Sequence, residues 1–118
     1  MTIDEAIRDL LNVSTDIQSV AVLSPEGDVA AAGPGAVAAD LAASAGRLWE
    51  TAAERAADCG QGSPLDHVVV QDAQGAVAVL AAHGRRIAAV TGPRPAVGLL
   101  LFDLLTCLGD AFAVEDGQ

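Results

Sequence analysis

Residues 17–32 of the chain read IQSVAVLSPEGDVAAA, and this stretch decides the fold. Its first part, 17–23, is rich in apolar and β-branched residues, which is typical of a strand. The next part, 24–28, supplies the proline and the glycine of a tight reversal, because glycine adopts a positive φ without steric cost. The pattern predicts a β-hairpin whose second strand lies near 28–32.

One helix is expected before this hairpin and a longer helix after it. Thr2 begins a capping box, and apolar residues then recur at helical spacing over 3–12. The glycines and the proline at 33–35 interrupt the chain. Strong helix formers dominate 36–58, where Gly46 is the one interruption. We therefore predict a first helix over 3–12 and a second over 36–58.

The second half of the chain predicts a three-stranded meander and a closing helix. Apolar, strand-forming runs are separated by short turn sequences at 72–75 and 83–85. The strands are expected at 67–71, 76–82 and 86–90. A final helix is expected over 96–112, after Pro95 at a tolerated first-turn position. Its leucines are expected to face the sheet, namely Leu100, Leu101, Leu104, Leu105 and Leu108.

The order of elements indicates the fold class. Helix, two strands, helix, three strands and helix follow one another, and each hairpin is short enough to make its strands antiparallel. A chain of 118 residues is one domain on the usual length scale. We predict a single α/β domain of the α+β type over 1–118, with a five-stranded antiparallel sheet flanked by helices.

The charge balance restricts the partners and the chemistry. Sixteen acidic residues face six basic ones, so the formal net charge is -10. This charge repels nucleic-acid phosphates and anionic lipid heads, and it favours neutral or basic protein surfaces. The six basic residues are all arginine. Without lysine the chain has neither a P-loop lysine nor an amine for Schiff-base chemistry.

Cysteine usage and apolar runs bear on the compartment. Cys59 and Cys107 lie far apart and form no C-x-x-C pattern, and the chain does not begin with a secretory signal. We therefore expect a reducing cytoplasm. The longest apolar stretch, 97–108, contains Asp103 and is shorter than the roughly 20 residues of a membrane span. No membrane span is expected.

No residue pattern indicates a catalytic, cofactor or metal site. His67 and His83 have no further ligands at zinc spacing. The glycine segments at 33–35 and 60–62 lack the spacing and the lysine of a phosphate loop. Arg85 and Arg86 leave two interpretations open: an arginine finger toward a nucleotide, or charges that keep a turn soluble and protect a strand edge. We expect no enzyme and no cofactor.

The long helix is the best candidate for a protein interface. Small and apolar residues form two neighbouring stripes along it, more than one sheet is expected to cover, and Gly46 with its alanines permits close approach of another helix. These features predict a homodimer. Trp49, the sole tryptophan, fits either an interface anchor or the core of the chain itself.

The hairpin from Ser19 to Val29, the alanine-rich long helix and the ending of three strands and one helix resemble the roadblock family of dynein light chains, in its prokaryotic members. The resemblance extends over nearly the whole chain. It implies a homodimer joined through the second helices and the third strands. The helix stripes and the resemblance together place the expected interface at Leu41, Ala42, Ala45, Gly46, Trp49, Ala53, Ala56, His67 and Val69.

The resemblance also implies a function. Roadblock proteins look like regulators and scaffolds of small Ras-like GTPases, and some in bacteria stimulate the GTPase of a polarity switch. We therefore expect a non-enzymatic homodimeric adaptor or regulator of a small Ras-like GTPase. The alternatives are a small-ligand sensor of the profilin-like or PAS-like kind and a purely structural dimerisation module.

Overall fold

Three helices and five strands follow one another in the order expected from the sequence. The structure is a computed structural model, and it describes residues 2–33, 38–60 and 64–117. The elements are α1 (Ile3–Val13), β1 (Ile17–Leu23), β2 (Val29–Ala32), α2 (Ala38–Asp58), β3 (His67–Asp72), β4 (Gly75–Ala82), β5 (Arg85–Thr91) and α3 (Val97–Gly117). The predicted α+β class is confirmed.

The strands form one antiparallel sheet in the order β2-β1-β5-β4-β3. The last strand therefore lies in the middle of the sheet, where it pairs with β1 on one side and with β4 on the other. In this register Val20 lies opposite Ala89 and Ala21 lies opposite Ala88. The strands β2 and β3 form the two edges, so the third strand of the chain leaves one side of its backbone unpaired within the sheet.

Helices cover both faces of the sheet, but unequally. Side chains alternate between the faces of a strand, and they separate into two buried clusters. On one face α1 and α3 pack side by side over the larger cluster. Its members include Ala6, Ile7 and Leu10 of α1, Val20, Val22, Leu80 and Ile87 of the sheet, and Leu100, Leu104 and Leu108 of α3. On the other face α2 packs alone over a smaller cluster of Ala21, Leu23, Leu41, Ala45, Val79 and Ala88.

The capping box at the start of α1 forms as the sequence predicts. The Thr2 hydroxyl accepts a hydrogen bond from the Glu5 backbone N–H at 3.2 Å, and the Glu5 carboxylate accepts one from the Thr2 N–H at 3.1 Å. The Thr2 hydroxyl also donates to this carboxylate at 2.9 Å, and the two hydrogen bonds that the carboxylate accepts from Thr2 lower the pKa of Glu5. The box anchors a short helix whose buried side carries Ala6, Ile7 and Leu10.

The hairpin between β4 and β5 is tighter than expected. His83 and Gly84 have φ angles of 54° and 73°, the two positive values that a two-residue type I′ turn requires. Because the turn has only two residues, β5 begins at Arg85, one residue before the predicted 86. Placing Arg85 in the turn was therefore wrong.

The closing helix also differs from the expectation. It extends to Gly117 and not to 112, because no proline or glycine follows Gly109 until that point. Leu105 is 46% exposed, so the expectation that it faces the sheet was wrong. For α2, the predicted start at 36 lies outside the described residues. No helix in the described ranges has both the length and the apolar character needed to cross a membrane.

Gly75 fixes the junction between the edge hairpin and the end of β5. It has a φ of 153°, and a Cβ added there would collide with the backbone carbonyl oxygen of Thr91. Beside it, the Thr91 hydroxyl accepts a hydrogen bond from the Ala76 N–H at 3.2 Å. The Asp72 carboxylate accepts hydrogen bonds from the N–H groups of Gln74 and Gly75, which closes the turn.

We expect Gly75→Ala to lower the free energy of unfolding by about 2 to 4 kcal/mol, because the new methyl group has no space and the backbone angle is unfavourable. Urea unfolding followed by circular dichroism measures the change. The control is Gly98→Ala in α3, where an added Cβ meets nothing within 4 Å. It should raise stability by about 0.5 to 1 kcal/mol. Equal stability of the two variants would mean that position 75 tolerates a side chain.

Candidate protein interface

The residues predicted on α2 do not all lie on the surface. Leu41 is 7% exposed and Ala45 is 1% exposed. Both pack in the smaller cluster against the sheet of the same chain, beside Leu23 and Val79. The structure therefore places these two residues in the core, where they orient α2 and do not present a surface to a partner.

Trp49 packs against its own chain and is also partly exposed. Its ring is half-buried and packs against the smaller cluster, one turn after Ala45. The guanidinium carbon of Arg86 lies 5.3 Å from the centre of the Trp49 ring, which is a cation–π distance. The exposed part of the ring lines an open groove with Pro25, Ala53 and Arg86. Trp49 thus packs in the chain and also reaches its surface.

Three small residues form an accessible side of α2, which we call the α2 flank. Ala42, Gly46 and Ala53 are separated by four and seven residues, so they lie along one side of the helix. Ala42 and Gly46 are half-buried, whereas Ala53 is exposed. A Cβ added at Gly46 would meet nothing within 4 Å. Another helix can therefore approach the α2 backbone closely along this flank. Ala56 is half-buried near the end of the helix.

On β3 the predicted residues face away from α2. His67 lies opposite Leu80 and Val69 lies opposite Ala78, and both of those partners belong to the cluster under α1 and α3. Val69 packs against that cluster, while His67 is exposed. Because neighbouring residues alternate, Val70 lies on the α2 face instead, where it is 53% exposed. Val70 is not among the residues that the sequence singled out.

Val70 is the outermost of three valines that cross the sheet, which we call the valine row. Val70 pairs with Val77, and Val77 pairs with Val90, so the row runs from the edge strand β3 to the central strand β5. The three side chains, with Gln18 and Thr91, line an open groove of about 270 Å³ on the face that α2 only partly covers. An apolar row beside an unpaired strand edge is a surface that a second protein can cover.

Arg85 and Arg86 lie on opposite faces of the sheet. The guanidinium carbon of Arg85 lies 4.0 Å from the centre of the Phe112 ring on α3, whereas that of Arg86 lies over Trp49 on α2. Both arginines are half-buried. Each one stacks on an aromatic ring and tethers a helix to the start of β5.

The cysteines and histidines do not come together into a reactive centre. Cys59 is exposed just after the end of α2, and Cys107 is buried on the inner side of α3. Burial, with Asp110 and Asp9 nearby, raises the pKa of Cys107 to about 11, so its thiol stays protonated at neutral pH. In the part of the chain that the structure describes, no three His, Cys, Asp or Glu residues converge as metal ligands.

The two thiols should react very differently. At pH 8 a maleimide should modify Cys59 rapidly and Cys107 only after unfolding, as peptide mass spectrometry would report.

The ordinary pKa of 9.0 applies to Cys107 in the unfolded chain. The stability that comes from a protonated Cys107 should therefore be complete below pH 9 and be lost as the pH rises toward 11. Cys107→Ala should lack this part of the pH dependence. Rapid modification of Cys107 in the folded protein would contradict its burial.

The sequence matches no protein-family model and no curated protein. Its fold, however, is similar to that of solved structures. The Roadblock/LC7 domain from Streptomyces avermitilis superposes with a TM-score of 0.81 at 19% identity, covering 93% of this chain and 94% of that one. MglB from Myxococcus xanthus gives a TM-score of 0.79 at 11% identity, covering 98% and 96%.

A third solved structure has the same arrangement in a more distant form. LokiProfilin2, solved in a complex with rabbit actin, gives a TM-score of 0.63 at 15% identity, covering 92% of this chain and 93% of that one. The agreement in element order and sheet extends over nearly the full length of each chain. The expectation from the hairpin and the long helix is confirmed at the level of the fold: this chain has the prokaryotic roadblock-type fold.

Proposed function

We propose that the chain is a non-enzymatic adaptor that forms a homodimer and regulates a small Ras-like GTPase. The observation that carries this proposal is the valine row, which ends in the exposed Val70 beside the unpaired edge of β3 on the same face as the α2 flank. The roadblock-type fold, together with the resemblance of the sequence to the roadblock family, suggests the class of partner.

The edge strand supports a twofold dimer. The outer edge of β3 carries backbone N–H and C=O groups that have no partner strand in the sheet. Antiparallel pairing of β3 with the same strand of a second copy satisfies these groups and extends the sheet from five strands to ten. Such pairing also brings the α2 face of the second copy beside the exposed Val70, so that the valine row loses contact with water.

The α2 flank supports close packing of the second helices in the same dimer. Alanine and glycine leave the backbone accessible, and helices with small residues at their contact approach more closely than those with large ones. Beyond the flank, the exposed side of α2 carries charges of both signs, such as Arg47, Glu50 and Glu54. A pair of such helices would form an elongated polar platform, and we propose this platform as the surface that contacts the GTPase.

A GTPase suits such a platform because its switch regions change between an ordered and a released form with the bound nucleotide. A protein that binds one of these forms more tightly than the other increases the population of the form that it binds more tightly. The size of the shift is set by the difference between the two affinities. This action needs no catalytic residue in the adaptor. In the described ranges no buried side-chain nitrogen or oxygen lacks a hydrogen-bond partner, and the grooves are open. The ligand-sensor alternative would need converging polar groups in a pocket, so this observation favours the adaptor.

The dimer can be tested at Gly46. Gly46→Leu should shift the mass in sedimentation from a dimer to a monomer of 11.8 kDa, because the new side chain blocks close helix approach. We expect the dissociation constant to rise at least about tenfold, or about 1.4 kcal/mol. Leucine is a better helix former than glycine and an added Cβ has open space here, so the monomer should remain folded.

Two further variants make this test specific. Thr51→Leu places the same side chain at an exposed position on another side of α2 and should leave the dimer intact. Val70→Asp should weaken the dimer as Gly46→Leu does, because it buries a charge beside the strand edge. A wild-type protein that sediments as a monomer at micromolar concentration would overturn the dimer.

Binding to a GTPase can be tested with a purified small Ras-like GTPase. A titration followed by anisotropy of a labelled nucleotide should show binding to the GTP-bound and GDP-bound forms with different affinities. Gly46→Leu should weaken this binding at least about tenfold, because the platform requires two helices. The Thr51→Leu protein is the matched control. Failure of both nucleotide forms to bind a proven dimer would leave the chain as a structural dimerisation module and refute the adaptor.

A further inference from the structure

The outer side of α3 exposes three large apolar side chains, which we call the α3 ridge. Leu99 is 59% exposed, Phe102 is 64% exposed and Leu105 is 46% exposed. They are spaced three residues apart, so each is a neighbour of the next on the outer surface of the helix. Gly98 and Thr106 are exposed beside them, and neither adds a charge. The ridge is therefore a continuous apolar surface.

The opposite side of α3 is equally apolar. Leu100, Leu104 and Leu108 are at most 3% exposed and pack against the sheet. A helix with two apolar sides normally has both of them covered. Here α1 and the sheet cover only part of the circumference. Single exposed leucines are common on protein surfaces, but a row of this kind marks a surface for another molecule.

A groove runs beside the ridge. Phe102 and Leu105 form one wall, Asp66 and His67 at the start of β3 form the other, and Leu80 lies at the base. The groove has a volume of about 350 Å³ and is open to solvent. A ridge beside an apolar groove accommodates side chains that recur every three or four residues, as on one face of an α-helix.

Carboxylates surround this apolar surface. Asp66 lies at the groove, and Asp103 and Asp110 lie on the other side of α3, where they line a second groove with Asp9 of α1. The sequence of α3 contains no lysine or arginine. The Arg85 guanidinium stacks on Phe112 of this helix. The edges of the surface are therefore acidic.

The acidic edges of the α3 ridge restrict the kind of molecule that can bind there. A second copy of the chain, with a net charge of -10, would bring the same carboxylates against each other if it docked ridge to ridge. An anionic membrane would be repelled for the same reason. We propose that the α3 ridge and its groove bind an amphipathic helix of another protein, one whose apolar face is bordered by basic residues. The surface lies across the sheet from α2, so this proposal does not depend on the GTPase platform.

Three labelled peptides of about 18 residues test the proposal. The first carries leucines on one helical face with lysines elsewhere, the second replaces each lysine with glutamate, and the third keeps the composition of the first but scrambles the leucines so that no apolar face forms. Fluorescence anisotropy at physiological salt should show saturable binding of the first peptide. The second and third should bind at least about tenfold more weakly.

Variants of the full-length protein locate the binding. Phe102→Asp should weaken binding of the first peptide about tenfold or more, because large rings dominate such contacts. Phe102→Leu should bind the first peptide with an affinity within about threefold of that of the wild-type protein. Asp103→Asn combined with Asp110→Asn should reduce the affinity and its salt dependence. Val29→Asp, at a residue of β2 that is 39% exposed, is the control and should change nothing.

Four outcomes would overturn the proposal. Equal binding of the scrambled peptide would mean that charge alone attracts it, and equal binding of the glutamate peptide would remove the basic requirement. A lower sedimented mass for Phe102→Asp than for the wild type would assign the ridge to a second copy. Binding of wild-type protein to phosphatidylcholine vesicles that Phe102→Asp abolishes would assign it to a membrane.

Discussion

The pairing of β1 with β5 is the constraint on which the rest of the structure depends. It joins the first hairpin to the last strand of the chain and places both in the middle of the sheet. Ala21, Ala88 and Ala89 are completely buried there, because helices cover both faces. Small side chains on the inner strands let α2 on one face and α3 on the other lie close to the sheet. The same register sends Arg85 and Arg86 to opposite faces, where each holds one helix.

The unequal layers explain where the chain offers surfaces. Two helices cover one face and one helix covers the other, so the valine row of the second face remains open at the β3 edge. On the face that α1 and α3 cover, the sheet is buried, but α3 has more apolar surface than the sheet and α1 can bury. The described residues thus form two separate apolar surfaces. The valine row is left accessible because a single helix covers its face, and the α3 ridge is exposed because α3 carries leucines that neither the sheet nor α1 covers.

The sequence predicted the elements better than their orientation. Turn residues such as Gly27 and Gly84 and the alternation of strand residues act locally, so the order and most boundaries were predictable. Rotation of α2 was not, because alanine suits both the core and a helix contact, and Ala42 and Ala45 cannot be told apart by type. Which of Val69 and Val70 faces α2 was not predictable either, because strand parity depends on pairing with β4, and a shift of one residue changes the face. Leucines on every side of α3 hid which of them point outward.

The stacking of Arg86 on Trp49 has a practical consequence. The chain contains one tryptophan and no tyrosine, so its near-ultraviolet emission comes almost wholly from a single ring beside the α2 flank. The guanidinium above that ring and the open groove beside it make the emission sensitive to whatever approaches α2. The unmodified protein therefore contains its own optical reporter for one of its two surfaces, while the α3 side is silent in the same spectrum.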